Sequence, residues 1–304
     1  MCLSKTNYLN MQKFLFALLL VTASQIGYAQ DELLSLVDKD ETTKPERVTN
    51  AFKSSRVING HSMEFLGKGV LDFRILHRFG DVSTGISNLF GLDQASMRIG
   101  LDYGLLNNLT IGFGRSNVGK ELDGFIKFCP VWQTTGPGSF PFSIVLVSGV
   151  TLTTQPWADT TRKNYFSSRM AFYNELILGR KFSERFSLQL SPVFVHRNLV
   201  EQASEENDVY ALGIGARFKL TKRIAFVADY HYIAKGLDKD IYKDPLSVGF
   251  DIETGGHVFQ LHFSNATGMN EKAFITNTTG DWGKGEVRFG FNLSRVFTVA
   301  RSRR

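Results

Sequence analysis

From Gly69 onward the chain alternates apolar and polar residues with a period of two. In DQASMRIGLDYG, Ala95, Met97, Ile99, Leu101 and Tyr103 fall on one side, and Gln94, Ser96, Arg98, Gly100 and Asp102 on the other. Side chains of a strand point alternately to its two faces, so the segment predicts a strand with one apolar and one polar face. GVLDFRILHRF, LTIGFGRS, YALGIGARFKL and GEVRFGFNL repeat the pattern. Twelve such runs are predicted, starting near Gly69, Gln94, Leu109, Glu121, Phe142, Tyr165, Phe186, Val209, Ile224, Leu246, His257 and Gly285.

The links between these runs alternate in length. LLNN at Leu105, SER at Ser183, TKR at Thr221 and GG at Gly255 are short, and TTGPGSFP at Thr134 is somewhat longer. The links beginning at Gly80, Gln155, Leu199, Lys235 and Thr267 are long, and the short one near Asn117 breaks the contrast. Tight turns thus gather at one end of the strands and long loops at the other, as in outer-membrane barrels with an even strand number. A soluble β-sandwich is the main alternative, since its strands alternate too. It would leave sheet edges to be blunted, whereas closure removes them and lipid accounts for apolar residues that all point outward. The expected fold is therefore all-β, an antiparallel transmembrane β-barrel of about 12 strands.

Upstream of the strands, FLFALLLVTA from Phe14 follows Met11 and Lys13 and precedes Gly27, Tyr28 and Ala29. The run is about half the ~20 residues of a spanning helix, and its flanks fit a secretory signal peptide. Residues 1–30 are assigned to that signal, 31–60 to a short periplasmic arm without hydrophobic pattern, and 61–304 to the barrel. No plug domain is apparent in the arm. Cleavage removes Lys5 and Lys13 and lowers the formal charge from +6 to +4. The excess is spread out, apart from Arg301, Arg303 and Arg304 at the end, so nucleic acid is not an expected partner. Cys2 falls in the removed segment, and Cys129 alone forms no internal disulfide.

Candidate chemistry follows from the inward faces. These carry Asp72, Arg74, Arg98, Asp102, Asp123, Lys127, Arg169, Glu175, Arg217, Asp229, Asp251, Glu253, His262, Glu286 and Arg288, with both signs nearly balanced. Such residues suit a watery lumen, and they favour a narrow pore or solute transporter in an outer membrane, with lipid around it and a small solute as cargo. The opposite outcome is that they pair across the lumen and close it, because a wall of this strand number lies between barrels that side chains fill and open porins. The long loops, especially Thr267 to Trp282, are candidates to fold inward as a constriction.

In GFDIETGGHVFQLHFSN, two carboxylates and two histidines lie close together. With Gly255-Gly256 as the turn, Asp251 pairs with Gln260 and Gly249 with His262, while Phe250 and Ile252 face lipid with Leu261 and Phe259. Asp251, Glu253, Gln260 and His262 then face inward and His257 does not, so no metal site and no cofactor is expected.

Blocks such as GKGVLDFRILHRFGDVSTG, FGLDQASMRIGLDYG, RKFSERFSLQLSPVFVHRN, DVYALGIGARFKLTKRI, GFDIETGGHVFQLHFSNATGMNEKAFIT and TTGDWGKGEVRFGFNLSRVF resemble a Bacteroidota-type family of outer-membrane β-barrel proteins catalogued as a domain of unknown function. The resemblance runs from about Ala51 to Phe297 and implies the barrel and the membrane, but no substrate and no catalytic residue. Two other functions compete with a pore. One is a closed scaffold or adhesion barrel that binds partners through its loops, with Trp157 and Trp282 as contacts. The other is a lipid-hydrolysing barrel, in which Ser168 would lie near Asn198 and diagonally across from His196 on the lipid side. No enzymatic role is expected from this weaker pattern.

Overall fold

The computed structural model describes residues 44–157, 159–161, 163–200, 205–255 and 257–300. The chain divides into two units, Met1–Pro45 and Glu46–Arg304, and the barrel strands all lie in the second. The signal peptide assigned to 1–30 and the arm as far as residue 43 lie outside the described residues.

The strands are β1 (Val70–Asp81), β2 (Ala95–Leu106), β3 (Leu109–Ser116), β4 (Glu121–Val131), β5 (Ser143–Thr153) and β6 (Met170–Lys181). They continue as β7 (Phe186–Arg197), β8 (Asp208–Lys219), β9 (Ile224–Lys235), β10 (Leu246–Thr254), β11 (His257–Ser264) and β12 (Arg288–Thr298). Each pairs antiparallel with its neighbours in sequence, and β12 pairs with β1 to close the ring. The chain is a closed antiparallel barrel of 12 strands, as the alternation predicts. Burial follows the same period: in β2, Arg98 and Asp102 are buried while Met97, Ile99 and Leu101 are exposed on the outside. The β10–β11 register also agrees with expectation, with Asp251 opposite Gln260 and Gly249 opposite His262.

Two strands start later than their pattern suggests. β6 begins at Met170 rather than near Tyr165 because Phe166–Arg169 form a 3-10 turn, and the Arg169 guanidinium donates to the carbonyls of Thr153 and Gln155. β12 begins at Arg288 rather than near Gly285. Trp282–Lys284 form another 3-10 turn that ends on the left-handed Gly285, and the Glu286 carboxylate accepts from the Asp281 N–H at 2.9 Å. Trp132, just past β4, is not free at the rim. It packs edge-on against Phe65 at the inner mouth, with the Arg47 guanidinium over its ring.

Inward glycines make room for large lumen side chains. A Cβ at Gly114 would lie 2.2 Å from Nη2 of Arg98, and one at Gly100 would lie 2.8 Å from its Nη1. Arg98 can therefore lie flat across β2 and β3. Gly114→Val is expected to push it off the wall and to destabilise the barrel toward the upper end of the ~1–3 kcal/mol typical of overpacking. A lowered urea midpoint in a refolding assay checks this.

Candidate functional site

The barrel interior holds a segment that is not part of its wall. Residues 51–66 enter from the end where the tight turns lie, run into the lumen, reverse and return to that end before β1 begins. Contacts mark the path: Lys53 meets Glu253 near the β10–β11 turn at 2.9 Å, and the Lys68 N–H donates to Asn107 in the β2–β3 turn at 3.0 Å. Between them, Val57 N–H donates to the Gly60 carbonyl at 2.9 Å and Ser62 N–H to the Ser55 carbonyl at 3.0 Å, so Val57 to Gly60 form the reversal at the tip of a finger. Ala51, Phe52, Val57, Ile58 and Met63 are buried with Ser55, Arg56, Asn59, His61 and Ser62. The arm assigned to 31–60 is thus not separate from the barrel over 51–60, and the plug that the sequence did not reveal is present. The strip shows no single pattern because its surroundings are mixed: polar wall side chains bind its backbone, while Ala51, Phe52, Val57 and Met63 pack into an apolar cluster with Phe125, Val145, Val147 and Ile177.

Polar side chains of the wall bind the finger's backbone. The Asp229 carboxylate accepts from the N–H groups of Ile58, Asn59 and Gly60 at 3.3, 2.8 and 2.9 Å. Asn292 donates to the Ile58 carbonyl at 3.0 Å, Gln189 to that of His61 at 2.6 Å, and Lys127 to those of Ser55 and Glu64 at 3.2 and 2.6 Å. Arg78 reaches Oδ1 of Asn59 at 2.6 Å, and the Asn59 amide reaches Ser247 at 3.0 Å. A buried backbone donor or acceptor without a partner is costly, so each of these contacts fixes the finger in place.

A second element comes from the loop end. In the long β11–β12 connection, α1 (Glu271–Thr276) is capped by Asn270, whose side chain accepts from the Ala273 N–H at 2.8 Å. Its Glu271, Phe274 and Ile275 are buried. Asn270 and Lys272 both hold the Glu121 carboxylate at 2.8 Å, at the start of β4. Phe274 lies edge-on to His231 with ring centroids 4.9 Å apart. Glu271 pairs with Arg56 of the finger and stands 3.2 Å from Nε2 of His61, which also contacts the Tyr173 hydroxyl at 3.2 Å. The finger and the infolded loop therefore meet inside the lumen.

The residues expected to line the lumen divide into two groups. Asp72, Arg74, Arg98, Asp102, Asp123, Lys127, Glu175, Arg217, Asp229, Asp251 and His262 are buried on the inner face. Arg98 and Asp123 form a two-pronged ion pair with Nε to Oδ1 at 2.8 Å, and Arg74 lies 3.1 Å from Asp72 while also bonding Ser54 and Ser55 of the finger. Glu253 stands at the turn end, where it meets Lys53. Arg169 and Glu286 precede their strands and Arg288 opens β12; all three tie loops at the other mouth, Arg288 by donating to the Asn265 carbonyl at 3.0 Å. Sequence reasoning missed the residues that bind the finger without charge, Gln189 and Asn292. Their inward strand positions were readable, but the partner was not.

Ser168, His196 and Asn198 do not assemble as a hydrolytic set among the described residues. Nδ1 of His196 lies 2.6 Å from Oδ1 of Asp208, Asn198 donates to the Ser167 carbonyl at 2.8 Å, and no hydrogen bond joins Ser168 to His196. The described residues likewise contain no cluster of three or more metal-ligating side chains.

At the loop end, Asp244 accepts from the Tyr230 hydroxyl at 2.9 Å and from the Ile233 N–H at 3.0 Å, and it pairs with Lys239. Burial pushes its carboxyl up, but the Lys239, Ile233 and Tyr230 donors outweigh this and hold it below the usual carboxylate range. A depressed folded value means the tie is complete above the unfolded carboxylate range and is lost as pH falls through the folded value. Asp244→Asn at neutral pH is expected to speed exchange of the Ile233 amide proton, as acidification does in the unmodified chain. Hydrogen exchange at that amide checks both.

A family model described as a membrane bound beta barrel domain (DUF5777) matches residues 52–297, which include the finger from Phe52. No curated protein matches the chain. Among solved structures, the NanC porin is similar at 7% identity and a TM-score of 0.45, over 74% of this chain and 98% of that one. The KdgM porin is similar at 10% identity and 0.45, over 75% and 99%. The COG4313 outer membrane channel from Pseudomonas putida F1 is similar at 13% and 0.42, over 78% and 98%. Likenesses of this order carry no inference about cargo.

Proposed function

Since the chain belongs to the membrane bound β-barrel domain family whose model spans its strands, we propose that it is a narrow solute pore of an outer membrane, closed at rest by its own N-terminal finger. The observation that carries this reading is how the finger is held. The ladder of the wall is complete from β1 to β12 without it, and its bonds to the wall run mainly through side chains such as Asp229, Gln189, Lys127 and Asn292. Withdrawal of the finger breaks no strand pairing, and it uncovers charged and amide groups that water can solvate, along with the apolar Val145, Val147, Ile177 and Val193 against which Phe52, Val57 and Met63 pack. A plain structural core would gain nothing from so many inward charges, since burying them costs more than burying apolar groups of the same size. The two signs are nearly balanced on that wall, so weak selectivity between small anions and cations is expected.

The test is a reversible lock. A Cβ at Gly215 would lie 2.8 Å from Cγ2 of Val57, close to the approach that a disulfide needs. In a Cys129→Ser background, Val57→Cys with Gly215→Cys is expected to silence the barrel in a planar bilayer when oxidised and to restore discrete current steps when reduced. A folded barrel that stays silent in both states under applied voltage would favour the closed scaffold over the pore.

A further inference from the structure

The outer face of β5 and β6 carries a polar spot at mid-strand. Ser148 is the central residue of β5, its register partner across the ladder is Asn174 of β6, and both side chains are exposed on the outside of the barrel. Outward neighbours are apolar on every side: Leu146 and Val150 along β5, Phe172 and Leu176 along β6, Ile126 and Phe194 across the adjoining strands. A hollow of about 780 Å³ opens over this region, bordered by Phe128, Leu146, Pro192 and Tyr210. Neither Ser148 nor Asn174 makes a side-chain hydrogen bond among the described residues.

At that depth the barrel faces hydrocarbon, where an amide without a partner costs free energy and lipid supplies no headgroup to bond it. A polar group held at the same depth by a second spanning protein would supply that partner. An amide is both donor and acceptor, so it is complementary to itself across a two-fold axis. We propose that β5 and β6 form a self-association surface, with Asn174 and Ser148 of one copy bonded to the same residues of a second copy. The two-fold axis then sets the Phe194 side of each copy against the Ile126 side of the other. The hollow, lined by Phe194 and Tyr210 with ring centroids 5.2 Å apart, then lies against the Ile126 side of the opposing barrel. This surface is independent of whether the lumen conducts.

Cross-linking in reconstituted vesicles tests it. Oxidised Ser148→Cys, again in a Cys129→Ser background, is expected to give a covalent dimer of the chain. Leu261→Cys, on β11 across the barrel and likewise exposed on the outer face, is expected to give none. Asn174→Leu is expected to leave the barrel folded, as judged by its resistance to unfolding in detergent, while weakening self-association about tenfold, in line with polar contacts between membrane segments. The proposal is overturned if Ser148→Cys cross-links no better than Leu261→Cys, or if Asn174→Leu dimerises as well as the parent chain.

Discussion

Asp229→Ala is expected to raise the mean current per inserted barrel at least tenfold without loss of the folded wall. One carboxylate oxygen holds the N–H groups of three consecutive residues at the tip of the finger. Truncation to alanine leaves all three donors buried without an acceptor, at roughly 1–3 kcal/mol each. Water restores those bonds once the tip withdraws, so the substitution shifts the balance toward the open state. A shift of about 1.4 kcal/mol is already tenfold in that equilibrium, and the expected loss exceeds it. The wall should survive, because Asp229 keeps its ladder position between Gly215 and Ser247. Asp229→Asn retains one acceptor oxygen and is expected to give an intermediate current. Single-channel recording on the three proteins in the same lipid distinguishes them, and an unchanged current in Asp229→Ala would show that the tip is not what retains the finger.

The second large effect concerns stability. Arg98→Leu is expected to lower the free energy of unfolding by about 3–5 kcal/mol, the usual result of leaving one member of a buried ion pair unmatched. Arg98 is fully buried, and its two prongs meet both oxygens of Asp123 across β2, β3 and β4. The double variant Arg98→Leu with Asp123→Leu is expected to recover much of that loss, because no unpaired charge remains. Urea titrations of both single variants and the double one give the coupling. If the double variant is as unstable as the sum of the single ones, the pair is not the reason for the loss.

Much of the barrel was legible because lipid and lumen impose opposite chemistry on alternate residues. Ala95 to Tyr103 declared both faces, and Gly255-Gly256 set the register that places Asp251 opposite Gln260. The late starts of β6 and β12 were not legible, since the 3-10 turns at Phe166–Arg169 and Trp282–Lys284 are fixed by loop contacts, Arg169 to the Thr153 and Gln155 carbonyls and Glu286 to the Asp281 N–H. The infolding of the β11–β12 loop was legible only as a consequence of its length and position. The finger was hidden for a physical reason. A segment whose backbone is bound by polar side chains, and of which only Val57 and Met63 enter the apolar cluster, needs no continuous stripe, so Lys53 to Met63 show neither period two nor period 3.6. The local signal was Asn59-Gly60 beside Val57 and Ile58, a turn signature next to apolar residues in an otherwise charged stretch. Inward charges such as Asp229 and Lys127 were found on the right face, but their partner is the chain itself.

On the proposed reading, the same geometry makes the closed state the resting one. Phe52, Val57, Ile58 and Met63 leave water when the finger seats, and each such side chain contributes about 1.5–3 kcal/mol. Arg56 adds a link to Glu271 of the infolded loop, so the two elements support each other. Openings of the intact chain are therefore expected to be brief.

The most direct measurement is single-channel conductance of the intact chain beside one in which residues 51–66 are replaced by a glycine–serine segment of equal length, both refolded and shown to be β-rich. Persistent steps from the replaced chain and brief, rare steps from the intact one are the expected result. Two folded proteins that are equally silent, or that conduct equally, would contradict a pore closed by its own N-terminal finger.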